Sequence, residues 1–552
     1  MAGGLRDLAQ ALRRQKSCDT HPPLHRSRSV EEAALFYESF QHCSAGRRVE
    51  HFRWMALNDL FFLGRYILHR THWTGDNPKQ AGLAQEHKDR IAQWYHARCV
   101  EVQEAPNNHL DVWAREHGKS EILTYALIIQ DILKDPNETI GIFSHNRPLA
   151  KQFLRLIKVE FEINDELKAL FPEILYADPK RESPKWAIDD GITVKRASNI
   201  KESTVEAWGL IDGQPTSKRF SILHYDDIVA RDQISEDMIA KTSQELENSF
   251  ALTASDPPIM RLIGTPQEIA DTICEYMDNG RFKLRLHPAA DGKNQPVFFS
   301  ETKLADFKNK MSPKVFALQF ECSPKKAQEA HEIGFESSWW TVYRGELSIR
   351  SLNRYILVDP AGRRSDSNSQ YALWVVGAGA DRKWRILDGV LDNLSLTQRA
   401  DILFDMVRKW DPLKVVYEHF SFQADIEHLR DRQERENFRF VIQEVSGNLS
   451  KDARIERLIP RYRNGDIIAP EKGLMYRRLD GTDLDIVKRF KDMEWDKWPF
   501  NPKNRDQLDA LSRLCDEAEV NYVFPRAYGS GNPTGDHWNQ NSMNGGGSWL
   551  SQ

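Results

Sequence analysis

The feature that most constrains the fold is Gly118-Lys119-Ser120, which lies between an apolar segment, 110–113, and an amphipathic segment, 120–133. Apolar residues in the second segment recur at three- and four-residue steps, which predicts a helix. A strand, a loop ending in Gly-Lys-Ser and a helix are typical of a phosphate-binding loop, where backbone N–H groups and the helix N-terminus surround phosphate oxygens. We expect Lys119 to contact the terminal phosphates and Ser120 to bind Mg²⁺. Trp113 replaces the usual first glycine of the motif, so chance occurrence of the tripeptide stays open.

Two further apolar segments end in polar residues that suit nucleotide hydrolysis. The segment 221–225 is followed by Asp226-Asp227, where the first carboxylate would hold Mg²⁺ through water and the second would orient and deprotonate the attacking water. A solvated Asp-Asp turn is the alternative. The segment 260–263 is followed by Gly264-Thr265-Pro266, where Thr265 could sense the terminal phosphate, and a simple turn is again the alternative.

Strands and amphipathic helices alternate from about 51 to 335, which predicts a mostly parallel sheet. The strands predicted there are 110–113, 139–143, 220–225 and 260–263, and Pro148 is expected to open a helix. From 351 a second series begins, in which three strands joined by short turns precede alternating helices and strands. Its predicted strands are 355–358, 371–376, 384–390, 415–418 and 438–445, and its helices are 396–410, 421–436 and 452–462. The predicted fold class is therefore α/β with two domains.

The second series carries acidic residues at its strand ends. Asp359 ends the first strand and Glu418 ends the fourth. If these strands are neighbours, both carboxylates point into one crevice, as two-metal hydrolysis of a phosphodiester requires. Asp506 and Asp509 lie three residues apart on a predicted helix and so share one face, and either could supply a third ligand. Unrelated surface acids are the alternative.

Two other features allow more than one interpretation. Asp366, in the loop after Asp359, is either an accessory ligand or an exposed loop acid. The helix 451–463 has an excess of basic residues, which fits either contact with a DNA backbone or a solvated helix face. These residues are Lys451, Arg454, Arg457, Arg461 and Arg463.

Composition excludes several classes of protein. No apolar run approaches the roughly 18 residues that a membrane helix needs. The six cysteines include no Cys-x-x-Cys pair, which argues against a zinc site and suits a reducing cytoplasm. With 76 basic and 81 acidic residues the net charge is −5, so any contact with nucleic acid must come from local basic patches.

Taken together, these motifs resemble the large terminase subunit of tailed bacteriophages, over about residues 51–520. The resemblance rests on Arg115-Glu116-His117-Gly118-Lys119-Ser120-Glu121, the strand ending in Asp226-Asp227, Gly264-Thr265-Pro266, Asp359-Pro360-Ala361, Glu418 and the helix with Asp506 and Asp509. It implies a P-loop (ASCE-type) ATPase followed by a ribonuclease-H-like nuclease. It further implies that residues 115–121 bind ATP, that Arg115 stabilises charge on the transferring phosphate, and that Thr265 couples hydrolysis to movement. Asp227 departs from the glutamate found in many nucleotide motors.

The same resemblance implies a function and a set of partners. It predicts a cytoplasmic motor that uses ATP with Mg²⁺ to move double-stranded DNA into a procapsid, and a nuclease with two Mg²⁺ or Mn²⁺ ions that cuts concatemeric DNA. A terminase small subunit, the portal protein and further copies in a ring are the implied partners, with no membrane. The alternatives are a helicase or restriction-type translocase with a fused nuclease, and a non-catalytic assembly protein switched by ATP. The predicted organisation is an N-terminal extension (1–50), a motor (51–335), a linker (336–350), a nuclease (351–525) and a flexible tail (526–552).

Overall fold

A computed structural model describes residues 25–230, 235–345, 347–360, 370–418, 423–445, 449–500 and 505–526. The chain divides into two compact units. The first contains the described residues within 1–336, 447–464 and 496–502, and the second contains those within 337–446, 465–495 and 503–552. Within the described ranges, no helix combines the length and the apolar character needed to cross a bilayer.

The first unit is built around a sheet whose eight strands, among the described residues, run in the order β3-β4-β5-β2-β6-β7-β1-β8. The six strands from β5 to β8 in that order are all parallel, and β4 pairs antiparallel with both β3 and β5. The strands are β1 (His109–Trp113), β2 (Ile140–Ser144), β3 (Trp186–Ala187), β4 (Gly191–Ile192), β5 (Val205–Gly209), β6 (Ile222–Asp226), β7 (Ile259–Gly264) and β8 (Lys283–His287). The prediction of a mostly parallel sheet is confirmed.

Helices cover both faces of this sheet, and each face has its own apolar core. The helix after the phosphate loop begins with a π-helical segment, Glu121–Ala126, and Pro148 lies in the first turn of α6 as expected. The helices are α1 (Val30–Gln41), α2 (Ala45–Asn58), α3 (Leu60–Phe62), α4 (Gln85–Glu104), α5 (Leu127–Lys134), α6 (Arg147–Ile163), α7 (Asp165–Leu170), α8 (Pro179–Glu182), α9 (Glu236–Ser249), α10 (Thr272–Asp278), α11 (Glu301–Lys310), α12 (Pro313–Gln319) and α13 (Pro324–Ile333).

The second unit contains a mixed sheet in the order β14-β13-β10-β11-β12-β15-β9. Its centre is the predicted meander, in which β10, β11 and β12 are antiparallel, while β13 and β14 extend it in parallel from β10. The strands are β9 (Thr341–Tyr343), β10 (Asn353–Asp359), β11 (Tyr371–Ala378), β12 (Trp384–Asp392), β13 (Lys414–Glu418), β14 (Ile442–Val445) and β15 (Ile467–Pro470), with a separate hairpin of β16 (Met475–Arg477) and β17 (Asp483–Asp485). The predicted α/β fold class is confirmed, and each unit has its own large sheet.

The remaining helices follow the predicted alternation closely. A capping box at Ser395 and Gln398 fixes the start of α14, because each side chain bonds the other residue's backbone N–H. The helices are α14 (Leu396–Trp410), α15 (Gln423–Arg435), α16 (Lys451–Glu456), α17 (Leu458–Arg463), α18 (Ile486–Phe490), α19 (Asp506–Ser512) and α20 (Glu517–Val520). The single helix predicted at 452–462 is thus two short helices.

Three observations bear on the predicted organisation, in which some helix was expected within the extension. The stretch predicted as an extension includes α1, whose Phe36 and Phe40 are buried in a core of the first unit. The stretch predicted as a linker contains β9, which pairs with β15. Helices α16 and α17 group with the first unit, where the Lys314 ammonium lies 2.9 Å from the Glu456 carboxylate. The predicted tail lies outside the described residues beyond 526, and so do residues 1–24.

A buried ion pair joins β1 to the edge strand β8. Two nitrogens of the Arg285 guanidinium lie 2.8 and 2.9 Å from the two carboxylate oxygens of Asp111, and both side chains are almost fully buried. The Trp113 indole N–H also donates to Asp111, over 3.0 Å. Burial raises the pKa of Asp111 although Arg285 and Trp113 act against this shift. Removal of either partner would leave a buried charge without a counter-charge, which would destabilise the strand that leads into the phosphate loop.

We predict that Arg285→Ala lowers the free energy of unfolding by about 3–5 kcal/mol, because the carboxylate of Asp111 would stay buried without its partner. Urea denaturation followed by tryptophan fluorescence measures the change. Lys283→Ala, on the same strand but exposed, is the matched control and should change it by less than about 0.5 kcal/mol. Equal effects of the two substitutions would contradict the structural role of the pair.

Candidate active sites

The loop after β1 has the backbone conformation of a phosphate-binding loop. Gly118 has φ +76° and Glu116 has φ +62°, both in the left-handed region. A Cβ at Gly118 would lie 2.6 Å from the Tyr95 hydroxyl oxygen, so only glycine fits there. The helix begins at Lys119, directly after this turn. The loop thus ends at a helix N-terminus, where backbone N–H groups are available to phosphate oxygens.

Aromatic packing holds the loop where the motif's first glycine is missing. Trp113 is fully buried, and its ring lies edge-to-face with Trp94 and His287. The Trp94 indole N–H donates to the carbonyl of His117 over 3.0 Å, and Ala114 N–H donates to the carbonyl of His287 over 2.9 Å. Burial lowers the pKa of His117 to about 3, so its ring is neutral. His117, one of the predicted ATP-binding residues, is therefore buried against the core and supports the loop by packing.

Other residues of the predicted ATP-binding segment have different environments. The Arg115 and Glu116 side chains are exposed, and Glu116 pairs with Lys303 at 3.1 Å. The Glu121 carboxylate accepts from the Trp73 indole N–H over 2.9 Å and lies 2.5 Å from the His72 ring. Burial opposes its charge, but these partners outweigh burial and lower the pKa of Glu121. Glu121 therefore anchors the first helical turn.

Asp226, at the end of β6, is fully buried two strands from the loop-bearing β1, with β7 between them. The Thr124 hydroxyl donates to Asp226 Oδ2 over 2.5 Å. That hydroxyl also lies 2.9 Å from His224 Nε2. Because Thr124 has one proton and gives it to Asp226, the His224 ring must donate from Nε2. Burial lowers the pKa of His224, so this ring is neutral and fixes Thr124 against the carboxylate.

Residues of the phosphate loop influence the charge of Asp226. Burial and the neighbouring Asp227 raise the pKa of Asp226 to about 7, while Lys119, Thr124 and Ser120 act in the opposite direction. Its Oδ1 is buried and has no hydrogen-bond partner within the described ranges. A buried carboxylate oxygen without a donor is an atom that a cation would satisfy. Ser120 and Asp226 therefore fit a Mg²⁺ ion.

Asp227 and Thr265 lie on the loops that flank this carboxylate. Asp227 is half-buried with φ +50°, and its carbonyl accepts from His145 N–H over 3.1 Å. The Thr265 hydroxyl donates to the carbonyl of Trp113 over 2.9 Å. The predicted coupling residue is thus bonded to the base of the phosphate loop.

In the second unit, three of the four predicted acids come together. Strands β10 and β13 are parallel neighbours with Val358 opposite Tyr417, so Asp359 and Glu418 lie side by side at the same sheet edge. A carboxylate oxygen of each, and one of Asp509 on α19, all lie within 4.8 Å of one another. All three side chains are buried. A group of carboxylates at this spacing is the donor set that Mg²⁺ and Mn²⁺ prefer.

The fourth acid, Asp506, is not in this group. Its carboxylate accepts from Gln370 N–H over 2.9 Å, at the start of β11. The remainder of α19 is held by Glu494, which accepts from Leu508 N–H over 2.9 Å, and by the Trp374 indole N–H, which donates to Gln507 over 2.9 Å. Asp506 therefore anchors the helix that carries Asp509.

Sequence reasoning missed Arg513, which lies at the carboxylate cluster. A guanidinium nitrogen of Arg513 is 2.7 Å from a Glu418 carboxylate oxygen, and both side chains are buried. Burial opposes the charge, but Glu418, Asp509 and Asp516 outweigh it and raise the pKa of Arg513. The signal available in the sequence was its position four residues after Asp509, one helical turn along the same face.

The sequence left two features open, Asp366 and the basic segment 451–463. Asp366 lies outside the described residues. None of the five basic residues of 451–463 has an exposed side chain. Arg454 is buried and donates to the carbonyl of Leu449 over 3.2 Å, and Arg463 donates to the carbonyls of Lys308 and Asn309 over 2.6 and 2.9 Å. Two of these arginines thus bond backbone carbonyls within the first unit, and contact of the segment with DNA stays a hypothesis.

No family model matches the sequence, and no curated protein matches it. Solved structures resemble the chain. The large terminase of a thermophilic bacteriophage, in complex with ATP-gamma-S, is 8% identical with a TM-score of 0.43, over 76% of this chain and 97% of that chain. The Mn-soaked human cytomegalovirus terminase nuclease domain is 16% identical with a TM-score of 0.24, over 36% and 96%. The large terminase nuclease from thermophilic phage G20c with bound magnesium is 11% identical with a TM-score of 0.21, over 33% and 93%. The solved structures that resemble the chain are thus terminases and terminase nuclease domains, at low sequence identity.

We predict that the metal-free protein loses stability between about pH 4 and pH 7 through Asp226. The folded protein keeps the Asp226 proton up to its pKa of about 7, whereas the unfolded chain releases it near pH 4. The folded state holds more protons in this window, so the free energy of unfolding falls as pH rises. Asp226→Asn removes this contribution, so the thermal midpoint of the variant in EDTA, relative to that of the wild type, should rise from pH 5 to pH 7 and change little at higher pH. A difference between the two midpoints that is independent of pH would contradict the raised pKa.

Proposed function

We propose that the chain is a terminase large subunit, which uses ATP hydrolysis to move double-stranded DNA and a divalent cation to cut it. The observation that carries the proposal is the presence of two separate buried carboxylate sites in one chain. One adjoins a phosphate-binding loop, and the other contains three acids without such a loop. A nucleotide motor and a phosphodiester nuclease together account for both sites.

In the motor, the loop 115–120 would bind the phosphates of ATP through its backbone N–H groups and Lys119. Ser120 and Asp226 would hold Mg²⁺, which neutralises charge that develops on the phosphates. Thr124 and His224 keep the Asp226 carboxylate in place. Asp227 would act as the general base on the attacking water. Arg115, exposed on the loop, would stabilise the transferring phosphate.

In the nuclease, Asp359, Glu418 and Asp509 would hold one or two Mg²⁺ or Mn²⁺ ions, which activate water and stabilise the leaving oxygen. Arg513 holds Glu418 at the edge of this group. DNA would contact this site through its phosphates and the bound cations, so binding should weaken as salt concentration rises. Selection of the cutting site would then come from another subunit.

The biological role proposed is packaging of concatemeric viral DNA into a procapsid. A ring of copies docked on the portal, with a small subunit that recognises the DNA, would carry it out in the host cytoplasm. A helicase with a fused nuclease is a rival, as is an assembly protein that ATP only switches. The first would unwind DNA, and the second would package without hydrolysis.

We predict that Lys119→Ala abolishes DNA-stimulated ATP hydrolysis and packaging, with a loss of at least about 100-fold, because a charged group at the phosphates is removed. Release of inorganic phosphate and protection of DNA from nuclease in a procapsid assay measure both activities. Lys310→Ala, an exposed lysine of α11, is the matched control and should behave as the wild type. Packaging by the Lys119→Ala variant would instead support the switched assembly protein.

For the nuclease we predict that Asp359→Asn and Asp509→Asn abolish cutting of plasmid DNA in Mn²⁺ while ATP hydrolysis persists. The loss should exceed the roughly 10- to 100-fold that an outer-shell partner costs, because a ligand is removed. Asp506→Asn, which keeps an oxygen to accept from Gln370, should retain cutting. Calorimetric titration with Mn²⁺ should show weakened binding for the first two variants and near-normal binding for the third.

Two outcomes would contradict this assignment. Cutting by the purified Asp359→Asn variant would remove the nuclease site from the second unit. Loss of Mn²⁺ binding in Asp506→Asn with retention in Asp509→Asn would exchange the roles of the two helix acids.

A further inference from the structure

A closed ring of hydrogen bonds links the base of the phosphate loop to its exposed arginine. The Thr265 hydroxyl donates to the Trp113 carbonyl over 2.9 Å, and the Gln267 amide donates to the Thr265 carbonyl over 2.9 Å. The Gln319 amide, at the end of α12, donates to Gln267 Oε1 over 3.1 Å. The Arg115 guanidinium then donates to Gln319 Oε1 over 3.3 Å. The chain from Trp113 to Arg115 closes the ring.

The orientation of both amides in this ring is determined by its ends. A guanidinium can only donate, so the Gln319 oxygen must face Arg115 and its NH₂ must face Gln267. A backbone carbonyl can only accept, so the Gln267 NH₂ must face Thr265 and its oxygen must face Gln319. Neither amide can be turned over without breaking two bonds. The ring is therefore directional, and each amide is both donor and acceptor.

Gln319 is the fixed member and Arg115 the movable one. Gln319 is 2% exposed, whereas the Arg115 side chain is exposed. Gln319 also holds the Arg115 backbone, because its carbonyl accepts from Arg115 N–H over 2.9 Å. One buried residue thus bonds both the main chain and the side chain of the arginine that precedes Gly118 on the loop.

We propose that Gln319 is a positioning residue that orients Arg115 toward the terminal phosphate of ATP and, through Gln267, ties that orientation to the segment of Thr265. This inference rests on the proposed function and deepens it, since it concerns the same nucleotide site. Gln319 does not touch the nucleotide; it acts through Arg115. A change in the position of Arg115 would therefore affect the Thr265 segment, because the amides of Gln319 and Gln267 connect the two and neither amide can turn over independently.

The test is a set of steady-state ATPase measurements on the full chain. Gln319→Ala should lower kcat about 10- to 100-fold, the effect of one hydrogen bond to a charged group. The KM for ATP should change less than about threefold, because positioning acts on the transition state rather than on ground-state binding. Gln319→Glu should also lower kcat, because a carboxylate holds Arg115 by a charge-assisted bond and cannot donate to Gln267. Gln328→Ala, an exposed glutamine of α13, is the matched control.

The deciding comparison is the double variant with Arg115→Ala. If Gln319 acts through Arg115, adding Gln319→Ala to the Arg115→Ala variant should lower kcat no further. Adding Gln267→Ala to the Arg115→Ala variant should likewise have no further effect on kcat. Two results would overturn the role of Gln319 while Lys119→Ala remains inactive. One is a double variant whose loss in kcat equals the product of the losses in the two single variants. The other is wild-type kcat in both Gln319→Ala and Gln319→Glu. ATP hydrolysis by Lys119→Ala would overturn the proposed motor, and the positioning role of Gln319 with it. Thermal midpoints of all variants identify any that fail to fold. If Gln319→Ala is one of these, Gln267→Ala takes its place in the comparison.

Discussion

The arrangement of both sites depends on one property of parallel strands: neighbouring strands end at the same edge of the sheet. Asp359 and Glu418 follow adjacent parallel strands in register, so the backbone alone brings them together. Thr265 and the phosphate loop likewise follow the adjacent strands β7 and β1. Acidic side chains placed there are buried close to one another, and burial of like charges is unfavourable without a counter-charge. The fold thus creates the electrostatic demand that a divalent cation would meet.

The two sites meet this demand differently. Beside the phosphate loop, a buried carboxyl holds its proton up to about pH 7, and two neutral groups, Thr124 and His224, keep its geometry. In the second unit, the Arg513 guanidinium lies against Glu418 and supplies positive charge within the cluster. The first arrangement suits a cation that arrives with a nucleotide, and the second suits a cation held by protein carboxylates. Both arrangements depend on residues outside the acidic groups, Thr124 and His224 in the first unit and Arg513 in the second.

Local pattern predicted the strands well, because alternation of apolar strands and amphipathic helices reflects which faces are buried. It could not separate Asp506 from Asp509, since both share a helix face and only tertiary contacts distinguish them, with Gln370 N–H for Asp506 and with two other acids for Asp509. Arg513 and Gln319 were missed because their significance comes from contacts with residues 95 and 204 positions earlier in the sequence, Glu418 and Arg115. The grouping of α16 and α17 with the first unit depends on buried contacts such as Lys314 with Glu456, which no local pattern encodes.

We propose that the three carboxylates of the second unit, Asp359, Glu418 and Asp509, form a cation site. Anomalous diffraction from crystals of the protein soaked in Mn²⁺ measures this most directly, because manganese scatters distinctly from every protein atom. We predict a peak with oxygens of Asp359, Glu418 and Asp509 at bonding distance. A peak at Asp506, or none within reach of the three carboxylates in crystals that bind Mn²⁺ elsewhere, would contradict it.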